Sequence, residues 1–229
     1  MEEGGREMEE EPAYRLIRAC FDSLDAAAAL LHEEPDLLEA RTGNGETPLQ
    51  YLVVEDEMDA VRWLVSRGAV VNTRKNFGET PLIQSASLGY EEMVRFLLSH
   101  GADVNVEDDG HDSALCRAVR YDHVAIATVL LDAGAATETT DKSPLHEAAE
   151  NGHIEMATLL LARGARIDAA DCTGMTPLHY AAEHDREAVV EVLLTHGADP
   201  KARNTDGHTP ADLAREYGSA SLAEKLEEL

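Results

Sequence analysis

The chain has 229 residues, 44% of them hydrophobic and only 4% aromatic. Its core must therefore be aliphatic, which suits thin stacked helices better than a β-sandwich built on β-branched and aromatic residues. A formal net charge of −26, with no Lys/Arg run longer than Arg74–Lys75, speaks against nucleic acid and anionic membrane surfaces as partners.

The chain opens on MEEGGREMEEEP, which is acidic and lacks an apolar signal-peptide region. Residues 1–11 are expected to form a solvated tail. No stretch reaches the roughly 18 apolar residues that would span a bilayer. Residues 13–41 carry two helical segments, AYRLIRACF and DAAAALLHEEPDLLEAR.

Beyond residue 41 two independent markers keep one period. Thr47, Thr80, Ser113, Ser143, Thr176 and Thr209, most of them followed by Pro, are spaced 33, 33, 30, 33 and 33 residues apart. Gly68, Gly101, Gly134, Gly164 and Gly197 are spaced 33, 33, 30 and 33. A Thr or Ser hydroxyl at an N-cap satisfies an orphan N–H of the first helical turn. Pro in the next position has no N–H to lose. Gly at the far end takes the left-handed conformation that stops a helix. Each period therefore reads as a short first helix, a turn, and a second helix bearing paired leucines such as Leu97–Leu98 and Leu193–Leu194. An extended segment then turns back at the next Gly, a β-hairpin finger. The last segment, NTDGHTPADLAREYG followed by SLAEKLEEL, needs a polar outer face because no repeat follows it.

The segments GMTPLHYAAEHDREAVVEVLLTHGADPKAR and FGETPLIQSASLGYEEMVRFLLSHGADVN, with TPLH at 176–179, SPLH at 143–146 and GAD at 101–103 and 197–199, resemble ankyrin repeats. The resemblance covers about residues 42–217 directly. It implies an all-α ankyrin-repeat solenoid of antiparallel helix pairs with short β-hairpin fingers. The expected organisation is a tail over 1–11, an N-terminal capping helix pair over 12–41, five repeats over 42–203 and a C-terminal capping repeat over 204–229. Three departures stand out. Leu52–Val53 replaces two alanines. His111 stands where the turn Gly belongs. Three residues are missing between Gly134 and Ser143, so that finger is expected to be short and blunt.

No pattern for catalysis appears. HEAAENGH at 146–153 fails as a zinc-protease helix, because position 150 is Glu where the second His should stand. The resemblance gives His146 and His179 a structural role, bonding the capping hydroxyl. No phosphate-binding loop, dinucleotide-binding glycine pattern or nucleophile elbow occurs. Cys20, Cys116 and Cys172 form no CxxC pair and read as reduced thiols of a cytoplasmic protein. The expectation is a non-enzyme with no cofactor and no metal.

In ankyrin proteins the concave face, made of finger tips and the exposed side of each first helix, usually takes a partner protein. Counting offsets from each capping residue places Lys75, Phe77, Glu79, Asp109, His111, Asp112 and Met175 on finger tips. Leu88, Arg120, Tyr121, Glu150, Asn151, Glu183 and His184 fall on first helices. Phe77, Leu88, Tyr121 and Met175 are the expected exposed apolar anchors, and Phe77, Tyr121 and Met175 are expected on one concave surface. The acidic residues between them call for a partner with basic residues around an apolar plug. The leading expectation is a monomeric adaptor or inhibitor; a homo-oligomeric assembly unit and the ankyrin shell of a regulatory subunit are the alternatives.

Overall fold

The computed structural model describes residues 11–138 and 142–229. Among these residues it contains fourteen α-helices, two short 3-10 turns and no strand. They fall into two compact units, one ending at Gly110 and one beginning at His111. The first unit holds α1 (Pro12–Asp22), α2 (Leu24–Glu33), α3 (Pro48–Val54), α4 (Met58–Ser66), α5 (Pro81–Leu88) and α6 (Glu91–Ser99). The second holds α7 (Ala114–Arg120), α8 (Val124–Asp132), α9 (Pro144–Asn151), α10 (Ile154–Ala162), α11 (Pro177–Glu183), α12 (Glu187–Thr195), α13 (Pro210–Glu216) and α14 (Ala220–Glu227).

Most of these helices span seven to nine residues, too few to persist alone in water. Stacking holds them. In the first unit α1 packs on α3 and α3 on α5; in the second α7, α9, α11 and α13 stack in series, as do α8, α10 and α12. Leu49, Leu52, Leu64, Leu82 and Leu97 are fully enclosed in the first unit, and Leu115, Leu130, Leu145 and Met156 in the second. Each such burial stabilises by about 1.5–3 kcal/mol. Leu52 and Val53, bulkier than the expected alanines, both lie fully inside. Of each leucine pair only the first member is core: Leu97 and Leu193 are buried, while Leu98 and Leu194 are half-buried.

The fingers are tighter than hairpins. Four of them are closed by two backbone bonds, as where Lys75 N–H donates to Glu79 O (3.0 Å) and Gly78 N–H to Lys75 O (3.0 Å). Neighbouring fingers share one bond, Asp109 N–H to Phe77 O (3.0 Å) or Thr205 N–H to Thr173 O (2.9 Å). So few residues extend beyond the helices that, among the described residues, no strand ladder forms and only Glu107 and Ser113 make an isolated bridge. The expected blunt finger lies partly outside the described residues, at 139–141, and so do residues 1–10 of the expected tail. Glu11, at the tail's end, accepts the Gly43 N–H (2.7 Å).

At three of the six caps, the residue three after the capping Thr or Ser ties one repeat to the next. In the first unit Gln50 Oε1 accepts the Thr47 N–H (3.3 Å) and its Nε2 donates to Glu79 O (3.0 Å) in the following finger. In the second unit His146 Nδ1 accepts the Ser143 N–H (3.1 Å), and its Nε2 donates to Met175 O (3.0 Å). His179 repeats the arrangement between the Thr176 N–H (3.1 Å) and His208 O (3.1 Å). Both rings also meet the capping hydroxyl at 2.8 Å, the role implied by the family resemblance. A backbone N–H can only donate, so Nδ1 must be bare and Nε2 must carry the proton. Burial depresses the pKa of both imidazoles. Ile83 has no polar side-chain atom to make this bridge, and Cys116 Sγ accepts only the Ser113 hydroxyl (3.4 Å).

Candidate protein-binding face

In the first unit the finger between α4 and α5 presents Phe77 to solvent. Its side chain is 81% exposed and its backbone is left-handed at φ 67°. The corresponding tip residues Asn44, Thr173 and Asp206 are polar and are not left-handed. A bulky side chain at positive φ costs of order 1–3 kcal/mol, and exposing its ring gains nothing in folding. Gly78 at φ 76° follows directly, and a Cβ there would fall 2.5 Å from the Arg74 and Asp109 side chains. Leu88 ends α5 at 44% exposure, just before the left-handed Gly89 cap.

The charged candidates of this unit are engaged with one another. Lys75 Nζ lies 3.3 Å from Glu46 and 2.9 Å from Glu79. Burial alone would lower the Lys75 pKa, but these two carboxylates outweigh it and raise the value. Asp109 faces Arg74 at 3.5 Å.

In the second unit His111 takes the left-handed conformation of the absent Gly, at φ 64°. Asp112 receives Arg120 through two bonds (2.7 and 3.1 Å) and has Arg117 Nε at 3.3 Å. The Arg120 Nε continues to Glu147 (2.7 Å). The Asp112 bond leads the causes that raise the Arg120 pKa. Lys142 then bonds Glu150, stands 3.6 Å from Glu147, and places its ammonium 4.4 Å from the centre of the Tyr180 ring. Tyr180 donates to Asp171 (2.8 Å), and burial first, then this carboxylate, pushes its pKa up. His184 donates from Nδ1 to Tyr180 O (3.1 Å) and turns Nε2 toward Glu150 at 3.8 Å. Asn151 closes the end of α9 on Glu147 O (2.9 Å). The Glu183 carboxylate beside the Tyr217 phenol raises its pKa. Tyr121 is 51% exposed beside the His123 ring.

Met175 is a correction. It was expected as an exposed anchor, yet it is 8% exposed. Its sulfur accepts from Asn204 Nδ2 (3.5 Å) in the next finger, and its carbonyl accepts from His146. The residue just before a capping Thr or Ser points into its own repeat, whereas the residue three before it stands at the tip. The first position holds Glu46, Glu79, Asp112, Lys142 and Met175, all partly or fully covered, and the exposed His208 in the last repeat. Phe77 occupies the second.

Glu147, Lys142 and Tyr180 complete the network of the second unit but are absent from the expected site residues. A spacing of eight residues could have found part of it. It joins the residue before the cap to the residue seven after it, pairing Asp112 with Arg120 and Lys142 with Glu150. His208 and Glu216 repeat it at 4.0 Å.

Among the described residues no helix is long and apolar enough to cross a membrane, and no group of three or more His, Cys, Asp or Glu is placed to hold a metal. The family model for ankyrin repeats in three copies matches residues 16–108, 68–141, 115–204 and 167–227. The chain belongs to the ankyrin-repeat family. Ankyrin repeats generally mediate protein–protein interaction. No curated protein matches the chain.

Proposed function

We propose that this chain is a non-catalytic adaptor or inhibitor that holds a partner protein on its finger and first-helix face, with Phe77 as an apolar anchor. Phe77 carries the reading: a large ring held in solvent by a costly backbone conformation, at a tip where the equivalent Asn44, Thr173 and Asp206 are polar and Gly110 has no side chain. Leu88 and Tyr121 add apolar surface, each within its own unit. The net charge of −26 favours a partner with basic residues around an apolar plug over nucleic acid. The protein works as a monomer in the cytoplasm, and the buried thiols of Cys20 and Cys116 support the cytoplasmic part of that reading.

A photo-reactive phenylalanine analogue tests this when placed at position 77 and, as a control, at Ile154, an exposed residue on α10. Cross-links to a partner from position 77 and none from position 154 are expected. Cross-links from 154 alone would move the site to the second helices.

A further inference from the structure

The Lys142 ammonium and the three groups around it come from three separate stretches of the second unit. Glu147 and Glu150 lie one turn apart on α9, Tyr180 is on α11, and Lys142 itself arrives from the finger preceding Ser143. An aromatic face and two carboxylates converging on one point are what an ammonium requires: a ring quadrupole on one side and charge-assisted acceptors on the other. The carboxylates are held in place from behind. Arg120 fixes one Glu147 oxygen at 2.7 Å, and Asp171 pins the Tyr180 phenol at 2.8 Å. The seat is open to solvent, with the Lys142 side chain 26% and the Glu150 side chain 31% exposed. Its other charged neighbours are Asp112, which binds Arg120, and His184, which faces Glu150.

We propose that this seat recognises a lysine ammonium of the partner, and that Lys142 is the chain's own occupant, displaced when the partner binds. The inference rests on the reading of this face as a protein-binding surface and assigns it a chemistry: an exposed lysine on a basic segment. It also makes Lys142 an internal competitor that weakens association with isolated basic peptides. The aromatic face distinguishes such a seat from a plain acidic patch. Tyr180 is held edge-on by the His146 ring at 5.5 Å, so its face toward the ammonium is fixed before any partner arrives.

Pentalysine, titrated by calorimetry at physiological salt, provides the probe. Lys142→Ala and Lys142→Met both vacate the seat, and the methionine preserves the aliphatic stem should the alanine variant fold poorly. Both are expected to bind pentalysine about tenfold more tightly than the parent, the combined worth of a cation–π contact and partly covered ion pairs. Lys201→Ala makes the same charge change at an exposed finger position and should leave affinity unchanged. Lys142→Ala combined with Glu150→Gln should return affinity to the parental level. The proposal is overturned if the Lys142 variants bind no more tightly than Lys201→Ala, or if the double variant keeps the full gain. Neither result touches the anchor role of Phe77, which is read from cross-linking in the other unit.

Discussion

The two units solve one structural problem with different chemistry. Each must satisfy the N–H of a buried capping residue and the carbonyl that ends the next finger. The first unit uses the amide of Gln50, whose oxygen and nitrogen reach both groups. The second uses the imidazoles of His146 and His179. An amide carries acceptor and donor at every pH. An imidazole carries them only while neutral, because a proton on Nδ1 would face the capping N–H. The same bridge is therefore indifferent to acid in one unit and sensitive to it in the other.

The largest effect should come from removing a bridge. His146→Ala strands the Ser143 N–H and the Met175 carbonyl in the interior and should cost about 2–4 kcal/mol in urea unfolding. His146→Gln should cost far less, because the amide can repeat the geometry of Gln50.

Acid comes next. Burial depresses both histidine pKa values, so the unfolded chain takes up protons before the folded one does. The contribution of these rings is complete above the ordinary histidine value of about 6.5 and is lost as pH falls below it toward the depressed folded values. Amide protection factors, which correct for the intrinsic slowing of exchange in acid, should therefore fall in α9 and α11 on going from neutral pH toward about 5.5, with little change in α3. A His146→Gln, His179→Gln double variant should abolish the difference, and Gln50→His should import it into the first unit. An equal loss of protection in α3 and α9 of the parent protein would show that carboxylates, not these rings, govern acid behaviour.

A smaller gain is expected from Phe77→Gly. Glycine adopts φ 67° without strain, so stability should rise by about 1 kcal/mol even after the extra freedom of the unfolded chain is counted. A loss of stability on this substitution would mean that the ring packs on the protein.

Much of this architecture was legible in the sequence because the residues that set it act locally. A capping Thr needs only its own first turn, and a stop Gly needs only its own dihedral: a Cβ on Gly101 would touch nothing, so φ 85° alone demands glycine there. His111 betrayed its left-handed turn by standing where glycine belonged. The candidate face was less legible because exposure depends on the next finger. Met175 and Phe77 both read as hydrophobic tip residues, yet a shift of two places relative to the cap buries one against Asn204 and leaves the other in water. Asp112, Arg120 and Glu150 read as free charges because their partners sit eight or twenty-seven residues away, beyond any helical spacing.

That contrast between two apolar finger residues gives the most direct test of the functional claim. Phe77→Ala and Met175→Ala should be compared for melting temperature and for retention of the partner cross-linked from position 77. Met175→Ala should cost about 2–4 kcal/mol as a core truncation, a fall of several degrees, while its folded fraction keeps the partner. Phe77→Ala should melt within about a degree or two of the parent, as surface substitutions do, and lose the partner. A Phe77→Ala protein that melts early, or that holds the partner as tightly as the parent, would contradict the account.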